Sequence, residues 1–414
     1  MVIYVRKRIT AIILALLMVL LQSITATAES GDALEVWVRN KYYDIVTQAA
    51  KSFTEETGYA VNVKEAANMS DDLALAINAH NTPDVVSIDC ILVPYFASIG
   101  AFKDITAEIN SLDFRDAIPE GSLKGATYEG AIYAAPFGPD ASVLIYNKDM
   151  FAANGLDPEN PPKTWDELIK AAQACTNDET YGYVFPGNAA GGMMFGFGPY
   201  IWANGGEFYS EDGSERLLDS PEAIGALQLI VDMAHKYGVT PKTISSYTTT
   251  EARDAFSAQK FAMIAQGISF VRMVINGEFD FNAGIALIPG PDGEHFSSFL
   301  GGDSIAVMKD SDKADIAWKF VEYCLSEPVQ VDLFATQGLM PCRSDLFDHE
   351  IFKQDKEWEV VRKAMEIGST PYSLKYNELL TPFLDGVQYA LNQEKSAEQA
   401  FKDAKTEIEK ILAE

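Results

Sequence analysis

The chain has 414 residues and carries 60 acidic against 32 basic side chains, which gives a formal net charge of −28 at neutral pH. So strong a negative charge argues against a nucleic-acid binder, whose phosphate contacts need Lys and Arg, and against adhesion to anionic lipid. The length exceeds what one hydrophobic core ordinarily serves, so two lobes are expected.

The first 28 residues have the composition of a cleavable export signal. Three basic residues at 6–8 precede an apolar run over 9–21, and Ala26-Thr27-Ala28 supplies the small residues that a signal peptidase needs. The run is shorter than the roughly 20 apolar residues of a spanning helix, which favours cleavage over retention as a membrane anchor. No Cys stands at the cleavage point directly after Ala28, so we expect a non-lipidated periplasmic protein.

The next part of the chain alternates buried strands with amphipathic helices. Apolar runs at 34–38, 61–63 and 84–88 are typical of buried parallel strands. Between them, apolar residues recur on one helical face over 45–53, where Gly58 ends the helix, and over 73–79. Strand, helix, strand, helix, strand predicts a parallel sheet with helical crossovers.

The alternation continues to the end of the chain. A long apolar strand at 142–146 leads through a Pro-rich loop to a helix that Thr164 caps, with Glu167 closing the capping box. Ser220 and Pro221 begin a further helix. The remaining predicted elements are a helix at 251–259, strands at 261–265 and 305–308, a crossing between lobes at 285–288, and helices at 316–324 and 396–411.

Residues 128–168, YEGAIYAAPFGPDASVLIYNKDMFAANGLDPENPPKTWDEL, carry a family resemblance. They closely resemble the crossover between the lobes of bacterial extracellular solute-binding proteins, the maltose-binding-protein-like branch that serves ABC importers of sugars. Further segments match that family in the same order. They are TPDVV at 82–86, GAFKDIT at 100–106, WANGGE at 202–207, AFSAQKFAMI at 255–264, GGDSIAV at 301–307 and GLMPCR at 338–343.

The resemblance implies an α/β fold of two lobes, each a mainly parallel sheet flanked by helices, with the ligand cleft between them. It implies a first lobe of residues 29–139 plus 283–325 and a second lobe of residues 140–282 plus 326–414. The function that follows is capture of a mono- or oligosaccharide by hinge closure and delivery to the membrane permease of an ABC transporter. The protein is expected to be a monomer without cofactor, metal or enzymatic activity.

The resemblance also assigns candidate ligand residues by matched position. They are Asn40, Lys41, Asp89, Asp140 at the hinge, Trp202, Ser269, Asp303, Arg343 and Tyr376. Asp89 and Asp303 rank first because a carboxylate at a strand end can accept bonds from two sugar hydroxyls. For both, a helix N-cap or a salt bridge is an equal alternative.

For the other candidates the alternatives also stay open. Trp202 is predicted to stack on a sugar ring, with a core position as the alternative, and Tyr376 divides evenly between cleft and core. Arg343 is more typical of a structural residue. Ser269 stands where many relatives carry a large aromatic residue, which leaves the stacking partner and the ligand size open.

Two other functions fit an exported chain with this composition. The same fold could bind a polyamine, which needs acids lining the cleft, or ferric ion, which needs paired Tyr ligands such as Tyr42 and Tyr43. A carbohydrate-active enzyme could hide a carboxylate pair among 60 acids, but no catalytic motif supports one. The four cysteines, Cys90, Cys175, Cys324 and Cys342, are either disulfides or free buried thiols.

Overall fold

The computed structural model describes residues 33–209, 216–371 and 373–413. The predicted export signal therefore lies outside the described residues. Among the described helices, none is both long and apolar enough to cross a membrane.

Strands and helices alternate over most of this length. The strands are β1 Leu34–Arg39, β2 Val61–Ala66, β3 Val85–Asp89, β4 Thr127–Tyr128, β5 Ala131–Ile132, β6 Ala135–Ala141, β7 Val143–Asn147, β8 Tyr181–Val184, β9 Phe261–Gln266, β10 Ala283–Ala286, β11 Ile288–Pro289, β12 Phe296–Val307 and β13 Gly368–Ser369. The α-helices are α1 Tyr43–Thr57, α2 Met69–Asn78, α3 Val93–Ser98, α4 Thr106–Asn110, α5 Glu120–Gly125, α6 Lys148–Ala153, α7 Trp165–Ala174, α8 Ala190–Ala203, α9 Pro221–His235, α10 Thr249–Ser257, α11 Ile268–Ile275, α12 Ala314–Cys324, α13 Glu350–Lys353, α14 Glu357–Glu366, α15 Tyr376–Leu391 and α16 Ala397–Ala413.

The first sheet has the strand order β11-β12-β3-β1-β2, and β6 and β13 also pair with β12. Strand β1 runs parallel to both β2 and β3, so the predicted βαβαβ unit is confirmed. Strand β12 is antiparallel to β3 and β6. The carboxyl ends of β1, β2 and β3 therefore meet at one edge, which is where open α/β sheets place ligands.

The second sheet has the order β10-β7-β9-β8. Because β6 belongs to the first sheet and β7 to the second, the chain changes sheet at Ser142. It returns between β10 and β11, within the predicted crossing at 285–288. We call the parts built on the two sheets the first and second lobes.

Core packing divides the end of the chain differently from the predicted lobe boundaries. Residues 283–286 pair with the second sheet rather than the first. Conversely, Phe334 stacks on Tyr42 with ring centroids 5.6 Å apart, and Cys342 is buried in the same first-lobe core. The aromatic cluster around α1 thus holds Phe334 in the first-lobe core, whereas Val331, Ala335 and Met340 belong to the second-lobe core, so the segment 329–342 lies between the two. From Leu346 onward, the buried apolar residues belong to the second-lobe core alone.

Local signals in the sequence are carried into the structure. The Thr164 hydroxyl accepts a bond from the N–H of Glu167 at 3.1 Å, which confirms the predicted N-cap of α7. The Glu167 carboxylate, however, accepts from the N–H of Lys163 rather than from that of Thr164. All four cysteines are buried free thiols.

Gly302 lies at a tight contact where β12 pairs with β6. Its φ is +108°, and a Cβ there would stand 2.2 Å from the carbonyl oxygen of Gly138. We expect Gly302→Ala to lower the free energy of unfolding by at least about 2 kcal/mol more than Gly155→Ala, measured by urea denaturation. Gly155 is the matched control because its φ is +74° and no atom lies within 4 Å of its Cβ position. Equal losses in the two variants would contradict the steric argument.

Candidate functional site

Arg39, the last residue of β1, joins the two carboxylates that ranked first in the sequence. Its Nη1 donates to Asp89 Oδ2 at 3.0 Å and to Asp303 Oδ1 at 2.9 Å. The two acids are brought together because they stand directly opposite each other in the β3–β12 ladder. Sequence reasoning did not single out Arg39. Its signal was its position at the carboxyl end of a buried strand.

Asp303 lies behind this cation, out of reach of solvent. Its side chain is 0% exposed, and its second oxygen accepts a bond from the Ser87 hydroxyl at 2.9 Å. Burial raises the pKa of Asp303 to about 6, although the charges of Arg39 and Lys41 oppose the rise. Since both carboxylate oxygens are engaged within the protein, the geometry favours the salt-bridge alternative over direct ligand contact.

Asp89 is the more accessible of the two acids, with 32% of its side chain exposed. Its second oxygen accepts from the N–H of Ile91 at 3.3 Å and caps the short 3₁₀ turn Cys90–Leu92. Asp89 therefore makes both the salt bridge and the helix-cap contact that were the alternatives to ligand binding. Part of its side chain nevertheless faces open space.

That open space is a cavity of about 400 Å³, which we call cavity A. It is lined by residues 39–41, 66–70 and 88–89 with Leu92, which are the last residues of β1, β2 and β3 and the segments that follow them. Asn40, Lys41 and Asp89 are thus brought together at the carboxyl ends of parallel strands. Asn40 also donates from Nδ2 to Glu65 at 2.7 Å, so its amide is held in place.

Lys41 supplies a cation at the wall of cavity A. Lys41 has an exposed surface, but the surrounding cleft removes part of its hydration, and this effect alone would lower its pKa. The neighbouring Tyr42 and the carboxylates of Asp140 and Asp303 outweigh that effect, so the pKa of Lys41 is raised overall. Its Nζ lies 4.8 Å from the centroid of the Tyr42 ring. Lys41 therefore stays charged at neutral pH.

Asp140 ties the first lobe to the second. It lies on β6, and its Oδ1 accepts a bond from the N–H of Ile268 at 2.7 Å, the first residue of α11 in the second lobe. Glycine at position 267 permits this close approach, because a Cβ there would stand 2.4 Å from the same oxygen. Burial raises the pKa of Asp140, while Lys41 and the Ile268 N–H oppose the rise. Ser269 is exposed in the first turn of the same helix.

Trp202 is packed among aromatic rings of the second lobe and β12. Its ring centroid lies 5.3 Å from that of Phe208 and 6.1 Å from that of Phe299. Its Nε1 donates to Glu207 Oε2 at 3.0 Å. The half-buried indole thus combines a packing role with a fixed polar contact.

The last two candidates differ in their surroundings. Tyr376 is buried, and burial together with the charge of Asp89 raises its pKa, so the phenol lies near the candidate site. Arg343 instead binds Asp345 through Nε and Nη2, at 3.0 and 2.6 Å, and lies 4.0 Å from the ring centroid of Phe114. These contacts agree with a structural role for Arg343.

A second cavity, of about 230 Å³, lies between the lobes, and we call it cavity B. Its walls come from Cys90 and Ile91, from Lys124 on α5, from Glu207, and from the segment that begins at Gly368. Sequence reasoning missed Lys124, Glu207 and this last segment. Glu207 was visible only as the end of the Trp-Ala-Asn-Gly-Gly-Glu motif.

Comparison with known proteins agrees with this architecture. The family model described as bacterial extracellular solute-binding protein matches residues 48–360. The chain belongs to this family. Among the relatives of this solute-binding protein is the diacetylchitobiose binding protein DasA of Streptomyces coelicolor, 26% identical over 335 residues, which are 78% of this chain and 76% of that protein.

Solved structures of solute-binding proteins resemble the whole fold. One from Thermotoga lettingae, bound with alpha-D-tagatose, has a TM-score of 0.80 and 28% identity and covers 92% of this chain and 100% of its own. Maltose-bound MalE3 of T. maritima has a TM-score of 0.78 and 25% identity, with coverage of 92% and 100%. The predicted two-lobed α/β fold and the family resemblance are confirmed.

The buried carboxyl of Asp303 should make stability depend on pH. Because its pKa of about 6 lies above its ordinary 3.8, its contribution to stability is present below pH 3.8 and is lost as the pH rises through about 6. We expect the wild type to gain up to about 3 kcal/mol in free energy of unfolding relative to Asp303→Asn between about pH 7 and pH 4.

Urea unfolding at stepped pH measures this difference. Asp310→Asn, which removes an exposed carboxylate just beyond the same strand, is the control and should show no such window. A difference between wild type and Asp303→Asn that stays constant with pH would refute the assignment.

Proposed function

We propose that this solute-binding protein captures a carbohydrate in the cleft between its lobes, in the extracytoplasmic space, and delivers it as a monomer to the membrane permease of an ABC transporter. The observation that carries the proposal is cavity A, formed at the carboxyl ends of three neighbouring parallel strands and edged by fixed amide, ammonium and carboxylate groups. Such groups suit the hydroxyls of a sugar, which both donate and accept hydrogen bonds.

The charges around cavity A support a ligand that is neutral overall. Arg39 is shared between Asp89 and Asp303, and Lys41 lies under the influence of Asp140 and Asp303. Two cations against three acids leave neither an excess positive charge for an anion nor a set of unpaired carboxylates for a cation. Hydroxyls can bond to such groups without bringing a charge that would need a partner.

Relatives support the same class of ligand. By their names, DasA binds diacetylchitobiose, another relative from Pyrococcus abyssi binds maltotriose, and the compared structures hold tagatose and maltose. These ligands differ in length and composition, but all are carbohydrates.

Delivery would use the two-lobed architecture. A ligand that contacts both lobes stabilises the closed arrangement by the difference between its contacts in the closed and open states. Hinge closure of this kind is established for periplasmic binding proteins as a class. The Asp140–Ile268 bond lies at the joint and would help to fix the geometry of closure.

The other functions find less support in the site. A polyamine needs free carboxylates, whereas both oxygens of Asp303 and one of Asp89 are taken by Arg39 and Ser87. A ferric site would use the Tyr42–Tyr43 pair, but Tyr42 is buried and donates its hydroxyl to the Gly138 carbonyl at 2.7 Å. A glycosidase needs two carboxylates facing the ligand, and in cavity A only Asp89 has that exposure.

A thermal-shift screen of the chain without residues 1–28 tests the proposal. Sugars, polyamines and ferric citrate are added separately. Ligand at 100 times its Kd should add about 2.7 kcal/mol to the free energy of unfolding. Lys41→Ala should weaken binding of the responding sugar about tenfold or more, because a charged donor is lost from the cavity wall.

Lys319→Ala is the matched control, since Lys319 is exposed on α12 away from both cavities and should bind like the wild type. A shift with spermidine or ferric citrate while sugars give none would keep the fold and overturn the function. Release of product from a glycoside would indicate an enzyme instead.

A further inference from the structure

We infer that cavity B is a second subsite for the same ligand, in which Lys124 of the first lobe and Glu207 of the second bind hydroxyls of a further sugar unit, so that the ligand has at least two units. The inference rests on the proposed function and goes beyond it in naming the length of the ligand and two residues that recognise it.

Cavities A and B are neighbours along one segment of chain. Asp89 and Leu92 line cavity A, whereas Cys90 and Ile91, between them, line cavity B. The two cavities therefore share the short turn Cys90–Leu92 as a common wall. Cavity A, at about 400 Å³, is within the range of small-molecule pockets, roughly 300–1,000 Å³, while cavity B, at about 230 Å³, is below it. Cavity B by itself is thus better suited to part of a ligand than to a whole one.

The origin of the walls gives the main argument. All residues that line cavity A lie on segments of the first lobe, so a ligand confined there contacts no second-lobe residue in this arrangement. A ligand shifts an equilibrium only through a difference in affinity for the two states. Cavity B has walls from both lobes, with Lys124 on one side and Glu207 on the other. A ligand that drives closure must therefore extend from cavity A into a space of this kind.

Glu207 is held ready for such a contact. Trp202 Nε1 binds Oε2 at 3.0 Å and leaves Oε1 without a hydrogen-bond partner among the described residues. Burial raises the pKa of Glu207, while the Trp202 bond and the charge of Lys124 oppose the rise. The free oxygen can accept a hydrogen bond from a sugar hydroxyl, and Trp202 then acts as a positioning residue rather than as a stacking platform.

Lys124 complements Glu207 from the other lobe. It lies on α5, anchored by the buried Leu123 in the first-lobe core, and its ammonium makes no ion pair within 4.0 Å in the described part of the chain. It is close enough for its charge to act on Glu207, yet the two groups leave the cavity open between them. A hydroxyl pair on one sugar ring can accept from Lys124 and donate to Glu207 together.

Isothermal titration against matched pairs of sugars tests the inference. The pairs are glucose with maltose, xylose with xylobiose, and N-acetylglucosamine with diacetylchitobiose. In the wild type, the disaccharide of the responding pair should bind at least about tenfold more tightly than its monosaccharide. Lys124→Ala and Glu207→Gln should each reduce this ratio severalfold or more and leave monosaccharide affinity unchanged. Trp202→Phe, which loses only the N–H and part of the ring, should reduce the ratio in the same way as Glu207→Gln.

Lys319→Ala and Glu322→Gln, two exposed positions on α12, are the matched charge controls and should keep the wild-type ratio. Equal affinity for monosaccharide and disaccharide in the wild type would overturn the inference, as would a ratio that Lys124→Ala and Glu207→Gln leave unchanged. Either result would leave the proposed function intact. Absence of binding to every sugar, in a chain that unfolds cooperatively, would instead overturn the proposed function and the inference with it.

Discussion

The site depends on one guanidinium group. Arg39 holds Asp89 and Asp303 at the point where the antiparallel β12 joins the parallel strands, so three neighbouring strands share a single cation. Without it, a carboxylate with no exposed surface would be buried unpaired, which typically costs about 3–5 kcal/mol. The same bond fixes the orientation of Asp89 at the cavity wall. Stability of the first lobe and shape of the ligand site are therefore set by the same contact.

The two lobes contribute different parts of the candidate site. The first lobe builds a preformed cavity from loops at strand ends, and the second lobe reaches it at Asp140 and across cavity B. In the function proposed above, cavity A would hold one part of the ligand, and cavity B would bring another part into contact with the second lobe.

Much of the fold could be predicted from the sequence because its signals are local. Buried strands such as β1 and β3 are continuous apolar runs, and Thr164 caps a helix through an adjacent N–H. The sequence could not predict that residues 329–342 contribute to both cores, because the stacking of Phe334 on Tyr42 joins residues almost 300 positions apart. For the candidate site, strand-end position predicted Asn40, Lys41 and Asp89, which the structure brings together around cavity A. It did not find Arg39 or Glu207, whose importance depends on partners from other elements.

The bond at the hinge joins a side chain to the main chain. Asp140 accepts a hydrogen bond from the N–H of residue 268, a group that every amino acid except proline supplies. Exposed positions on the same helix, beginning with Ser269, can therefore be replaced without altering the joint. A protein built this way can acquire a new ligand preference on one face of a helix while the mechanical connection at its end is inherited unchanged.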